Sequence, residues 1–200
     1  MNLLQRAELY NQAFPNYPPL VATDRWLYGV WVLGNNYKSR SNYYGEYPPT
    51  YLKRVTALFP DKQPILHLFS GTVPKALGDT FDINPALEPT YVGRATELST
   101  VLPRTYGVIY ADPPYSAQDA EHYGVPLVNK KKVLSECYRA LDVGGYLVWL
   151  DQSLPMFRKV EFSLVGTIGI VRSTNHRVRM VFIFQRQKKP ARGVIEDDGR

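Results

Sequence analysis

Two hundred residues with 44% hydrophobic content fit one domain with a sizeable core. No apolar run approaches the ~20 residues of a membrane span, residues 1–6 lack a signal-peptide pattern, and the single cysteine, Cys137, excludes an internal disulfide framework. The formal charge of +6 is uneven: residues 128–192 carry thirteen Lys and Arg against four Asp and Glu, which points to a polyanion partner, nucleic acid before membrane. A reducing cytoplasm, with no structural metal, is the expected setting.

In chain order, residues 2–14 place Leu3, Leu4, Ala7 and Tyr10 at helical spacing before Pro15 ends the run. Residues 15–23, with Pro18 and Pro19, read as a loop. Residues 25–33 are apolar and aromatic, the pattern of a strand or of a packed cover segment. Residues 35–51 mix basic and aromatic side chains (Tyr37, Lys38, Arg40, Tyr43, Tyr44, Tyr47). They fit either a stacking and phosphate surface for a nucleic-acid strand or a loop ordered over a small ligand. Pro48 and Pro49 then open a helix through Phe59, with Leu52, Val55 and Phe59 on one face.

Ile65-Leu66-His67-Leu68-Phe69 reads as a buried strand running into Ser70-Gly71-Thr72. A glycine just after a parallel strand allows the tight turn and close backbone approach that a bound nucleotide requires. His67, alone on a core strand, is expected to be packed and structural. Thr80-Phe81-Asp82-Ile83 is a second strand, and Asp82 stands where an acid bonds the ribose hydroxyls of a nucleotide cofactor. Only thirteen positions separate Phe69 from Asp82, which leaves about one turn where a full crossover helix is usual. Residues 90–93 make a third strand, and residues 94–98 begin a helix that ends near Pro103.

Gly107-Val108-Ile109-Tyr110-Ala111 is a buried strand that stops at Asp112-Pro113-Pro114-Tyr115. The prolines have no N–H to continue a ladder and push their predecessors toward extended backbone. The strand tip must therefore present a carboxylate, a fixed carbonyl and an aromatic ring. Such a tip suits an exocyclic amine, a poor nucleophile whose lone pair is delocalised into its ring. The Asp112 carboxylate and the Pro113 carbonyl can each take an N–H, and Tyr115 can stack on the base, so that catalysis proceeds by orientation and fixed dipoles.

Asp112-Pro113-Pro114-Tyr115 resembles the D-P-P-Y signature of S-adenosylmethionine-dependent amino-methyltransferases, which include the DNA adenine-N6 enzymes. The resemblance implies an α/β, Rossmann-like methyltransferase fold whose mostly parallel sheet ends in an antiparallel C-terminal hairpin. It implies a cofactor site of Phe69, Ser70, Gly71 and Thr72, with Asp82, Ile83, Ala95 and Asp112. Phe69 and Gly71 match the family's F-x-G-x-G turn, but Val73 replaces its second glycine. Arg94 stands where the family often has an acid for the adenine amino group. In the family a segment like Tyr44-Gly45-Glu46-Tyr47-Pro48 holds the methionine end of the cofactor.

Beyond Tyr115, residues 116–125 are a polar loop. Residues 129–141 form an amphipathic helix with Leu134, Cys137, Tyr138 and Leu141 on one face, which makes Cys137 a core residue. Lys130, Lys131 and Lys132 sit at its N-terminus, against the helix dipole, and phosphates are a candidate reason. Asp142-Val143-Gly144-Gly145 is expected to close the helix with a glycine cap before the strand 146–150. Two further strands, 162–171 and 178–185, are joined too tightly for a crossover helix and must be antiparallel. Their tip, with Asn175, His176 and Arg177, would project near the catalytic edge as a second nucleic-acid contact.

The expected organisation is an N-terminal helix and cover segment (1–42), a methyltransferase domain (43–187) and a charged tail (188–200). The expected activity is methyl transfer from S-adenosylmethionine to an exocyclic amine of a nucleic-acid base, adenine N6 in DNA first. No segment is long enough for a recognition domain, so a dimer mate or another subunit would supply sequence preference. An RNA base methyltransferase of the ribosomal guanine-N2 kind, a protein or small-molecule amine methylase, and a binding subunit with a degraded cofactor site are the rival readings.

Overall fold

The computed structural model describes residues 1–33, 47, 50–116, 118, 121, 127–172 and 175–188. Most of the segment read as a cofactor-covering loop, part of the polar loop after Tyr115 and the charged tail beyond Lys188 lie outside the described residues.

The chain builds one nine-stranded sheet. In chain order its elements are α1 (Leu3–Ala13), β1 (Val21–Ala22), β2 (Leu27–Leu33), α2 (Tyr51–Leu58), β3 (Ile65–Leu68), β4 (Asp79–Asp82), β5 (Tyr91–Val92), α3 (Leu98–Val101), β6 (Tyr106–Ala111), α4 (Lys130–Ala140), β7 (Leu141–Asp151), β8 (Phe162–Arg172) and β9 (Asn175–Arg186). The strand order is β1-β2-β8-β9-β7-β6-β3-β4-β5. All strands run parallel except β1 and β9, and β9 lies antiparallel between β7 and β8. This is the Rossmann-like methyltransferase arrangement with its terminal antiparallel hairpin. Residues 1–42 do not merely cover it: β2 joins β8 in parallel from Leu27↔Gly166 to Leu33↔Arg172.

Two cores flank the sheet. On one face α1 and α2 bury Tyr10, Trp31, Tyr51 and Val55 against Val108, Tyr110 and Val148. On the other, α4 buries Val133, Leu134 and Cys137 against Ile109, Leu147 and Trp149. Cys137 is fully buried, and desolvation pushes its thiol well up, which suits a packed residue. His67 is buried beside Tyr110, its ring 5.5 Å away and its Nε2 3.3 Å from the Leu77 carbonyl. Burial lowers its pKa, so it is a neutral core residue.

The short β3–β4 link is the single turn expected, a 3-10 turn over Lys75–Leu77. One expected detail changes. The glycines after α4 form a bulge in place of a helix cap. Strand β7 starts directly at Leu141, pairs with Tyr106, and resumes at Tyr146↔Val108, with Gly144 at φ 73° in the excursion between. The local pattern of a helix followed by two glycines is the same in both cases; long-range pairing to β6 decides between them. Among the described residues no helix is long and apolar enough to cross a membrane.

Helix α1 is fixed by Arg6, buried between the rings of Phe59 and Tyr146 and bonded through both terminal nitrogens to Asp61, at 2.6 and 3.0 Å. Burial alone would raise the Asp61 carboxyl, but the hydrogen bonds and charge of Arg6 outweigh it and hold the pKa below its ordinary 3.8. A depressed carboxyl contributes stability above its unfolded value and loses it as pH falls through the folded one. Asp61→Asn should therefore be less stable than the wild type at neutral pH, and the two should converge below pH ~3. Urea denaturation across that range checks this.

Candidate active site

The strand order reverses between β3 and β6, so their crossovers leave in opposite directions and a crevice opens at the carboxyl ends. The two strands are in parallel register, with Leu68 opposite Ala111. The turn after β3 and the acid after β6 are consequently neighbours, although they are over forty residues apart in sequence.

The β3 turn is tight because Phe69 and Gly71 both adopt left-handed backbone, at φ 59° and 51°. Phe69 is the strained member, at a cost of ~1–2 kcal/mol for a residue with a Cβ. Asp82 at the tip of β4 offsets that strain. Its Oδ2 accepts the Gly71 N–H at 2.9 Å and its Oδ1 accepts the Asn84 N–H at 3.0 Å. Ser70 N–H adds a bond to the Phe81 carbonyl at 3.2 Å. Against this turn lies a cavity of about 230 Å³. Phe69, Asp82, Ile83, Gly93, Ala95 and Pro114 are among its walls. Ser70, Gly71 and Thr72 build the turn behind it without lining it. Arg94 borders the cavity, so the wall that would carry an adenine-binding acid is basic.

Around the other tip, alternation along β6 carries Asp112 to the face of Val108 and Tyr110, beneath the start of α2. Tyr115 donates its hydroxyl to Asp112 Oδ1 at 2.5 Å. Burial first, and the Asp112 charge next, raise the Tyr115 pKa well up, so the hydroxyl keeps its proton and fixes the carboxylate. This is an orienting contact in addition to the stacking role expected from sequence. Tyr47 and Tyr51 stack at 5.1 Å on the same side, and both are held neutral by burial and by the Asp112 charge. The hydroxyls of Tyr47, Tyr51 and Tyr110 and the Ser70 Oγ are buried without a hydrogen-bond partner. Each such group costs ~1–3 kcal/mol, and Tyr47 and Tyr51, which both feel the Asp112 charge, are two that a polar ligand at the strand tip could pair.

Of the lysine triplet, Lys130 is not a surface cation. Its Nζ bonds Asp151 Oδ2 at 2.7 Å and reaches the Tyr115 carbonyl at 3.4 Å. Asp151 is fully buried at the end of β7 and also accepts the Trp149 indole N–H at 3.0 Å and the Gln152 N–H at 2.7 Å. Lys130 therefore stands at the helix N-terminus because a buried carboxylate faces it there, and it ties α4 to both β7 and Tyr115. Lys131 and Lys132 are exposed. Residues Asn175, His176 and Arg177 open β9 beyond its pairing with the end of β7, where Met180 lies opposite Asp151.

Sequence reading missed Asp151, Tyr51 and Arg179 as site residues. Asp151 carried a usable signal, since like Asp82 and Asp112 it is an acid ending an apolar strand. Arg179 approaches the site only through the β9 register, its guanidinium 5.0 Å from the centre of the Tyr115 ring.

No family model and no curated protein matches the chain. Among solved structures, TrmN from Thermus thermophilus is similar with a TM-score of 0.51 and 14% identity, over 70% of this chain and 49% of that one. The chain thus spans about half the length of TrmN. The N-methyltransferase NodS from Bradyrhizobium japonicum, in complex with S-adenosyl-L-homocysteine, gives 0.49 and 10% over 70% of this chain and 85% of that one. At these identities the likeness is one of fold.

Removing Lys130 strands a buried carboxylate, which costs about 3–5 kcal/mol. Lys130→Met should therefore lower the unfolding free energy by roughly 3 kcal/mol, whereas Lys131→Met should stay within about 0.5 kcal/mol of wild type. Equilibrium denaturation of the two variants makes the comparison.

Proposed function

We propose that the protein is an S-adenosylmethionine-dependent methyltransferase acting on an exocyclic amine of a nucleic-acid base, adenine N6 in DNA before others. The observation that carries this reading is the Leu68↔Ala111 register, which makes the tip at Asp112 the neighbour of the Ser70–Gly71 turn, with Pro114 on the wall of the Asp82 cavity. The same motif on a strand without such a neighbour would be a capped sheet end and no more.

The residues present fit the cofactor. Asp82 spends one lone pair of each oxygen on a backbone N–H and keeps others for ribose hydroxyls. Small residues, Gly93 and Ala95, leave a slot for a flat ring between Ile83 and the turn. The unpaired Ser70 Oγ and the Tyr47 and Tyr51 hydroxyls are buried groups with which an amino-acid end could pair. When bound, the cofactor supplies a methyl carbon on a positively charged sulfur.

The chain's own part is to aim the amine. Asp112 and the Pro113 carbonyl accept its two N–H bonds, drawing the nitrogen from planarity and directing its lone pair into the crevice. The Tyr115 hydroxyl holds the carboxylate in plane while its ring flanks the base. Transfer of that methyl group would leave the C–S electron pair on the cofactor's sulfur, and the methylated nitrogen would have one proton to shed. Asp112 is the adjoining group that can receive that proton and pass it to solvent. A target base inside a duplex is out of reach of this crevice and must be flipped out or taken from a single strand.

The test is transfer of a labelled methyl group to single-stranded DNA, duplex DNA, RNA and free nucleosides, with digestion to identify the product. The expected product is N6-methyladenine in DNA. N2-methylguanine in RNA would replace that target, and a folded protein that binds no cofactor would reduce the chain to a binding subunit. Asp112→Ala should lose transfer by roughly 100-fold or more and still bind the cofactor. Asp82→Ala should weaken cofactor binding about 10- to 100-fold, since a charge-assisted bond contributes ~1.5–3 kcal/mol.

A further inference from the structure

Arg179 lies on β9, half-buried, with its guanidinium 5.0 Å over the ring of Tyr115. Among the described residues it forms no ion pair. The acids nearest in the fold are committed: Asp151 holds Lys130, the Trp149 indole and the Gln152 amide, and Asp112 receives the Tyr115 hydroxyl. A cation partly withdrawn from water without a carboxylate is costly unless a ligand supplies the anion. Its position is informative as well. The cofactor cavity lies on the β4–β5 side of Asp112, whereas Arg179 lies on the β7–β9 side, where the target must enter. Lys131 and Lys132 are exposed at the start of α4, which Lys130 ties to the Tyr115 carbonyl.

Building on the proposed methyl transfer, we infer that Arg179 binds the phosphate of the target nucleotide, so that a phosphodiester-linked base in a single strand is a better substrate than a free nucleoside. A guanidinium suits this task because its planar fork can bond two phosphate oxygens while its face rests on an aromatic ring. Tyr115 then positions two things at once, the Asp112 carboxylate through its hydroxyl and Arg179 through its ring. A neutral nucleoside would leave the arginine as unpaired as it is now.

The experiment uses the full chain with S-adenosylhomocysteine and a fluorescein-labelled, adenine-containing single-stranded DNA oligonucleotide. Anisotropy is read across a salt series, and methyl transfer to the oligonucleotide and to free deoxyadenosine is measured in parallel. Arg179→Met, which keeps the stem and loses the charge, should raise the oligonucleotide Kd about tenfold and flatten the log Kd against log salt slope by ~0.7. Turnover of free deoxyadenosine should stay within twofold. Arg179→Lys should keep the wild-type salt slope, because the charge remains. An unchanged slope in Arg179→Met, or an equal loss on oligonucleotide and nucleoside, would overturn the phosphate contact and leave Arg179 as a support for the Tyr115 ring. A slope change in a protein that transfers no methyl group would support the contact and reject the catalytic reading.

Discussion

The parallel pairing of β3 with β6 is the constraint on which the site depends. It is pinned at its entry, where Gly107 and Val108 both donate to the Pro64 carbonyl. A Cβ at Gly107 would stand 2.7 Å from the Gln63 carbonyl oxygen and 2.8 Å from its nitrogen, so only glycine lets the two chains approach this closely. From that point the ladder runs without slippage to Leu68↔Ala111. A one-residue slip would send the side chain of Asp112 to the opposite face of the sheet, away from Tyr47 and Tyr51. Backbone sterics at one end of the strands thereby decide which chemical groups meet at the other.

Three parallel strands end in acids, and the surroundings of each separate their roles. Asp82 is bonded by two backbone amides and half-exposed to a cavity, which makes it a brace for the turn with lone pairs to spare. Asp151 is fully buried and neutralised by Lys130, which makes it structural. Asp112 receives a neutral tyrosine hydroxyl, a bond that orients its carboxylate. Of the three, Asp112 is the one whose plane is set by a neutral hydroxyl, and its charge is felt by Tyr47 and Tyr51.

Much of this was readable in the sequence because the signals were local. Apolar runs bounded by glycine, acid or proline gave the inner strands, and the tight link between the last two runs required antiparallel pairing. What failed was what depends on distant partners. Nothing near Lys130 announces Asp151, so a lysine triplet at a helix start reads as a phosphate surface until β7 is placed beneath it. Gly144 and Gly145 read as a cap because the β6 partners of Leu141 and Tyr146, on either side of them, lie across the sheet. Residues 25–33 show the same limit: the run is recognisable as strand-like, but not as a partner of β8, some 140 residues later. The departures that looked like decay, Val73 and the short β3–β4 link, leave the turn intact because Asp82 holds it from the neighbouring strand.

The unpaired hydroxyls raise a question that stability alone does not answer. Tyr47, Tyr51 and Tyr110 could each be phenylalanine at no loss of packing, and the fold would be spared the desolvation of three hydroxyls. A fold selected only to hold its sheet together would have little reason to keep them. Tyr47 and Tyr51 stack on each other and both feel the Asp112 charge, so two of these hydroxyls belong to the tip of β6, and the left-handed φ of Phe69 lies on the adjoining turn. Other buried groups also keep an unpaired atom, the Nε of Arg6 and of Arg54, the Trp31 indole and His67 Nδ1 among them, but the two guanidiniums are anchored through their terminal nitrogens. A tyrosine hydroxyl has no second anchor of that kind, so the two beside Asp112 are the groups that a polar ligand at the strand tip would relieve most.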